Sequence, residues 1–137
     1  MTRKNPGMMR TVGRLLPLFF VMALIFLLSH QPGHRLELPG IFGIDKLAHF
    51  SIYGLLALTA IHALSPLSGG RGYRFAVLII FLCVLYGISD EFHQSFIPDR
   101  SCSVWDLLAD ALGASAMTFG WLICFSRLPG NFRSAHK

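Results

Sequence analysis

Five of the chain's seven acidic residues fall between Tyr86 and Asp110, in the stretch YGISDEFHQSFIPDRSCSVWDLLAD: Asp90, Glu91, Asp99, Asp106 and Asp110. Carboxylates at this density are the material of acid–base chemistry and of cation binding. The apolar run Phe75 to Leu85 leads into the stretch, and Ala111 to Phe125 leads out of it. A carboxylate at the centre of a bilayer costs roughly 2.5–3.5 kcal/mol on insertion scales, so acids set between such runs are functional candidates by default. A second set lies upstream. Asp45, His49 and Tyr53 are spaced i, i+4, i+8 and share one stripe of a helix. A carboxylate on that stripe would orient a catalytic histidine. The alternative is a helix-start acid, favoured by the helix dipole, that fixes a histidine for packing.

Each residue carries two readings. In the chemical one, Glu91 and His49 supply acid–base catalysis and Asp45 orients His49. Lys46 and Arg100 hold an anionic head group, since a guanidinium grips phosphate or carboxylate bidentately. Tyr53, Tyr86, Asp90, Gln94, Asp106 and Asp110 complete a binding surface. In the structural one, Asp90, Glu91 and Gln94 hydrogen-bond between helices. Arg100 then pairs with Asp106 or Asp99, and Asp106 is a plain first-turn acid. His62, near the opposite end with no partner in sight, reads as ordinary. The acids outnumber the cations, so some must be protonated, hydrated or bound to a cation. A divalent metal is compatible with that excess, but no HExxH or similar motif signals one, and no cofactor or metal ligand is assigned.

These groups need elements to position them. The chain has 137 residues, a hydrophobic fraction of 53% and a charged fraction of 14%. That composition is too apolar and too sparsely charged for an ordinary soluble domain. It predicts an all-α integral membrane bundle of four transmembrane helices. The spans run from about Val12 to Ser29, Asp45 to about Leu64, Phe75 to about Gln94, and Val104 to Phe125. Residues 15–125 form the membrane domain, between basic tails at 1–14 and 126–137. Pro17 falls in the first turns of the first span, where proline is best tolerated. That span reads as a retained helix, because the Ser-His-Gln-Pro ending lacks the small-x-small pattern of a cleaved signal peptide. Small residues Ala109, Gly113, Ala116 and Gly120 mark a close-packing face on the fourth span. The phenylalanines read as lipid-facing, and Trp105 as an interface anchor. Of the three cysteines, Cys83 and Cys124 read as core residues and Cys102 as a free thiol; no disulfide framework or metal spacing is visible.

Orientation follows from the lysines and arginines. Nine lie in the two tails and the Ser65–Arg74 break, against three (Arg35, Lys46, Arg100) at the other ends of the spans. This predicts both termini in the cytoplasm, with all seven acids on the extracytoplasmic half. The +5 charge then reports orientation rather than nucleic-acid binding. At 1.5 Å per residue, Lys46, Gln94 and Asp106 lie at the outer surface. His49, Asp90, Glu91 and Asp110 lie a turn deeper, and Tyr53, Tyr86 and Gly113 two turns deeper. Three helices therefore carry polar groups at matched depths, and these can satisfy one another only by facing inward.

At these residues the chain resembles the VanZ-like family of small bacterial membrane proteins. The resemblance rests on Ser29-His30-Gln31-Pro32-Gly33; on Asp45-Lys46-Leu47-Ala48-His49-Phe50 with Tyr53-Gly54; on Tyr86 through Phe96 with Pro98 and Arg100; and on Asp106, Asp110 and Gly113. The family pattern commonly has asparagine where this chain has Asp110. The family's namesake is linked to resistance to the glycopeptide teicoplanin. The resemblance implies an envelope-related, multi-pass protein of the bacterial cytoplasmic (inner) membrane, and the polar site predicts that it acts on or binds an envelope lipid or a cell-wall precursor. The alternative is a non-catalytic binding or scaffold module whose polar cluster holds the bundle together. Membrane lipids are the expected partners in either case, nucleic acid is not, and the oligomeric state stays open.

Overall fold

The structure, a computed structural model, describes residues 6–32, 43–68 and 72–126. The ends of both basic tails (1–5 and 127–137), the loop segment 33–42 with Arg35 and Glu37, and the break at 69–71 with Arg71 lie outside the described residues. The order is α1 (Pro6–Ser29), α2 (Ile44–Ser68), α3 (Tyr73–Gln94) and α4 (Val104–Ser126). Each helix contains a stretch long and apolar enough to cross a membrane: Arg10–Ser29, Ile44–Ser65, Tyr73–Gln94 and Val104–Cys124. At 1.5 Å per residue, about 20 residues match the ~30 Å hydrocarbon layer.

The expected spans are all present, with differences at their ends. α1 starts at Pro6 rather than near Val12, so Pro17 sits in the helix interior instead of its first turns. α2 runs on through Pro66 to Ser68 rather than ending near Leu64. Proline's fixed φ is itself helical, so one in a last turn removes a donor without forcing a stop.

α2 is the central helix. It packs most extensively on α4 and also touches α1 and α3, while α1 meets α3 only lightly. The α2–α4 approach is set by glycine. A Cβ on Gly113 would overlap the Phe50 carbonyl, and one on Gly54 would come within 2.9 Å of Met117 Cγ. The small-residue face of α4 is therefore in contact at Ala109 and Gly113 but not beyond. The buried positions continue to Ala114 and Thr118, whereas Ala116 and Gly120 face outward. A spacing of three and four drifts off a 3.6-residue face when it is continued in a straight line. The core is Val21 and Ile25 from α1, Tyr53, Leu56, Ala57, Ala60 and Ile61 from α2, Phe75, Ile79 and Cys83 from α3, and Ala114 from α4. Cys124 is exposed on the outer face of α4, not in the core. Phe19, Phe20, Phe81, Phe92, Phe96 and Trp105 also face outward. Such an apolar exterior suits lipid rather than water.

On α3 the buried positions form one stripe: Phe75, Ala76, Ile79, Cys83, Gly87, Asp90, Glu91 and Gln94. The acids extend the same face that carries the core. They point into the bundle, as the matched depths predict.

Candidate functional site at the loop end of the bundle

The loop 95–103 joins α3 to α4, and the polar residues of all four helices gather beneath it. It turns tightly: Ile97 N donates to Gln94 O, Arg100 N donates to Ile97 O, and Asp99 takes a left-handed φ of 61°. Aspartate is one of the few residues that visits that region readily.

Two groups form under the loop. The first joins α1 to α3. Ser29 Oγ donates to Asp90 Oδ2 at 2.7 Å, and Gln94 Nε2 donates to the same oxygen at 2.9 Å and to Ser29 Oγ at 3.2 Å. All three residues are buried. Tyr86, two turns deeper, donates its hydroxyl to Met22 O of α1 at 2.7 Å.

The second group joins α2, α3 and α4. Lys46 Nζ lies 2.6 Å from Asp45 Oδ2 and 2.5 Å from Asp106 Oδ1. His49 Nδ1 stands 2.9 Å from Asp110 Oδ1. The carboxylate accepts, so Nδ1 carries the hydrogen, and in the neutral imidazole Nε2 keeps its lone pair. Tyr53 continues the stripe, its ring stacked on His49 at 6.5 Å and 10°. Glu91 Oε2 accepts from the backbone N–H of Ser103 at 2.7 Å. That bond replaces a local one. Ser103 precedes the first turn of α4 with Asp106 three residues on, the spacing of a capping box, in which the acid would reach back to the serine N–H. Glu91 takes the N–H instead, which releases Asp106 toward Lys46.

The sequence-predicted residues divide accordingly. Asp45 does not orient His49. It turns to Lys46 and is largely exposed, and the partner of His49 is Asp110. The two acids lie on different helices at the mouth of α2, and only the α4 acid is on its inner side. Lys46 already has two carboxylates. Arg100 pairs with neither Asp106 nor Asp99. Its Nε donates to Gln31 O and its Nη2 to Leu28 O, both at 3.3 Å. It caps the carbonyl end of α1, whose last turn carries no basic residue of its own. His93 meets His30 at 3.2 Å and stacks on Phe26.

A groove of about 510 Å³ opens beside these groups. Its walls are Ile25 and Leu28 of α1 and Ala48, Ile52 and Leu55 of α2. Its polar end carries Ser29, His49, Tyr53, Asp90, Gln94 and Arg100. Of the predicted binding residues, Tyr53, Asp90, Gln94 and Arg100 reach it, as do His49 and Asp45. Lys46, Tyr86, Glu91, Asp106 and Asp110 do not line it. Sequence reasoning passed over Ser29 as a ligand of Asp90. Counting depth along the first span, as on the other three, would have set it beside Gln94. The groove walls and the Ser103 N–H carry no signal in residue type.

Among the described residues, Tyr53 Oη, Glu91 Oε1 and Thr118 Oγ1 are buried with no hydrogen-bond partner. Asp106 Oδ1 has its ion pair with Lys46 but lies out of hydrogen-bond alignment with it. Groups of this kind are rare in folded proteins and call for an explanation.

Four membrane-length helices with a buried polar site at one end define a multi-pass membrane protein. A family model described as VanZ/LLP1 matches residues 12–126, and the chain belongs to the VanZ-like family. Neither a search of curated proteins nor one of solved structures returned a match.

Proposed function

We propose that this protein binds, at the extracytoplasmic face of the bacterial inner membrane, an amphiphilic envelope molecule: a lipid or a lipid-linked cell-wall precursor. The observation that carries this reading is the groove, which runs from an aliphatic wall (Ile25, Leu28, Ile52, Leu55) to a polar end holding His49, Tyr53 and Arg100. Pockets that bind small molecules have this make-up, mostly apolar with a few convergent polar groups. An alkyl chain lies along the wall. The anionic head meets the guanidinium N–H groups of Arg100 that the α1 carbonyls leave free. The Tyr53 hydroxyl, buried without a partner, donates to the same head group. His49, aligned by Asp110, is the acid–base group at the head if the bound molecule is also a substrate. The excess of lysine and arginine at the opposite end supports the orientation, with both termini in the cytoplasm.

The test is lipid retention in detergent, read by native mass spectrometry after exposure to phosphatidylglycerol and to a polyprenyl phosphate. Wild type retains one of them, and Ile52→Trp, which fills the groove, loses it while unfolding at the same temperature. Equal retention by both proteins sinks the reading. Incubation with the retained lipid then separates a substrate from a ligand by product formation. Growth on teicoplanin of cells expressing wild type or His49→Gln tests the resistance role that the family's namesake suggests.

A second reading, a scaffold module, is favoured by the Ser29–Asp90–Gln94 tie, in which every group shown is satisfied within the protein. It predicts no lipid selectivity and a loss of folded protein when the tie is cut.

A further inference from the structure

We infer that His49, Glu91 and Asp106 form a binding site for one divalent transition-metal ion, of the Mn²⁺ or Zn²⁺ type. One ligating atom from each of the three lies within 4.8 Å of the others. Donors held ~2.0–2.2 Å from an ion stand roughly 3–4 Å apart, so small side-chain adjustments close the set. Three helices supply the ligands, which places the ion on the α2–α3–α4 junction.

Three features raise this above a cluster of acids. Glu91 is only 4% exposed, and its Oε1 has no hydrogen-bond partner although its other oxygen is fixed by Ser103 N–H. A buried carboxylate with one oxygen held and one unmatched is oriented for a ligand. His49 is likewise prepared. Asp110 takes the Nδ1 hydrogen, which leaves Nε2 as the donor and completes a carboxylate–histidine–metal arrangement. Asp106 is released from its capping role by Glu91 and has Lys46 as its counter-ion. Lys46 retains Asp45 at 2.6 Å when a metal takes Asp106, so exchanging ammonium for metal leaves no unpaired cation behind.

Charge favours the exchange. Glu91, Asp106 and Asp110 surround a region in which Lys46 supplies the one permanent positive charge among the interactions described. A divalent ion offsets two of the remaining negative charges. One imidazole with two carboxylates suits Zn²⁺ or Mn²⁺, whereas Ca²⁺ and Mg²⁺ prefer all-oxygen sets. The site borders the groove through His49, whose Nε2 then holds the ion instead of serving as an acid–base group, but it does not depend on a lipid and is tested without one.

The experiment is titration of chelator-treated, tag-free full-length protein in detergent with Mn²⁺, following loss of the aqueous ion's electron paramagnetic resonance signal. Wild type binds one Mn²⁺, and Zn²⁺ displaces it. Glu91→Gln and Asp106→Asn weaken binding by more than about tenfold, the scale on which even outer partners of a metal act. Asp99→Asn, which removes an acid from the neighbouring loop, binds as wild type does. The inference is overturned if wild type binds no Mn²⁺ at about 1 mM, the ordinary weak-site limit, or if Asp99→Asn is as damaging as Glu91→Gln. Should the carboxamide variants not fold, pulsed measurements on wild type decide. Nitrogen hyperfine coupling from one imidazole on the bound Mn²⁺ supports the site, and its absence rejects it.

Discussion

The two sides of α2 are built in opposite ways. Toward α4 it forms a seam so close that Gly113 has no room for a methyl group, and the polar side chains there pair across it as Lys46–Asp106 and His49–Asp110. Toward α1 it stands off, leaving a groove of about 510 Å³ walled by branched aliphatic residues. The seam fixes positions and the groove leaves space. His49 belongs to both, since its ring is held from the seam by Asp110 and exposed to the groove on its other side. A side chain held on one side and accessible on the other is what ligand binding or catalysis requires. Neither side alone would supply that.

The largest expected effect comes from breaking the seam. Gly113→Ala drives a Cβ into the Phe50 carbonyl, and backbone cannot rotate away as a side chain can. The loss should reach or pass the top of the ~1–3 kcal/mol range of overpacking. Gly120→Ala on the same helix meets nothing within 4 Å and should be neutral or gain a few tenths of a kcal/mol, roughly, from helix propensity. Thermal unfolding in detergent compares the two, and equal losses would mean that the close approach is absent. Ile52→Trp sharpens the contrast from the groove side. Filling space there should change stability by less than about 1 kcal/mol, because the side chain enters an opening rather than a packed interior.

Next in size is the tie at the groove's rim. Asp90→Ala leaves the Ser29 hydroxyl buried without its acceptor and the Gln94 amide with Ser29 Oγ alone, a cost of about 1–3 kcal/mol for an unsatisfied group. Asp90→Asn keeps an acceptor and should lose about 0.6 kcal/mol, the mean of hydrogen bonds measured between membrane helices. Glu91→Gln, one residue on, keeps an oxygen for Ser103 N–H and removes a charge from an acid-rich region. Its stability without added metal should equal or exceed that of wild type. If Glu91→Gln unfolds as readily as Asp90→Ala, the two carboxylates are alike and the contrast between them is void.

Much of this was legible in the chain and some was not, for identifiable reasons. The four spans are visible because each is a long apolar run interrupted by Pro, Gly or charge, and depth follows from a constant rise per residue. Azimuth does not. Asp45 and Asp110 are equally plausible partners for His49 when only depth is counted, and the choice depends on how α4 is rotated against α2. That rotation is set by Gly113 meeting Phe50, a backbone contact with no side-chain signature. The small-residue face of α4 was readable for the same reason only as far as Gly113. Arg100 is not in the ion pair with Asp106 or Asp99 that its charge suggests, because the partners it has are main-chain carbonyls. A helix such as α1, with no basic residue in its last turn, leaves orphan acceptors that a distant arginine can take, and this pattern can be looked for in a sequence. The groove was invisible because it is made of space between helices rather than of residues.

The smallest effect distinguishes the charged seam from its surroundings by a reporter outside the membrane. Cys102 is exposed in the loop above Glu91. Limited desolvation, and after it the nearby Glu91 carboxylate, raise its thiol above the ordinary value. The thiolate is the reactive form, so a raised pKa means a smaller reactive fraction at any pH below it and a labelling rate that keeps rising into more alkaline solution. Removing the carboxylate charge lowers the pKa. Glu91→Gln should therefore react faster with a maleimide at neutral pH, by less than about tenfold if the shift involved is under one pKa unit. The variant's rate should also level off at lower pH. The assay uses a Cys124→Ser background, because Cys124 is also exposed, and Cys83, buried between helices, stays unlabelled and serves as an internal zero. A membrane-impermeant maleimide applied to whole cells reads orientation at the same time, since an extracytoplasmic loop exposes Cys102 to the reagent. An unchanged or slower rate in Glu91→Gln would mean that the carboxylate is already neutral or turned away from the loop. The seam would then carry less charge than its acids suggest.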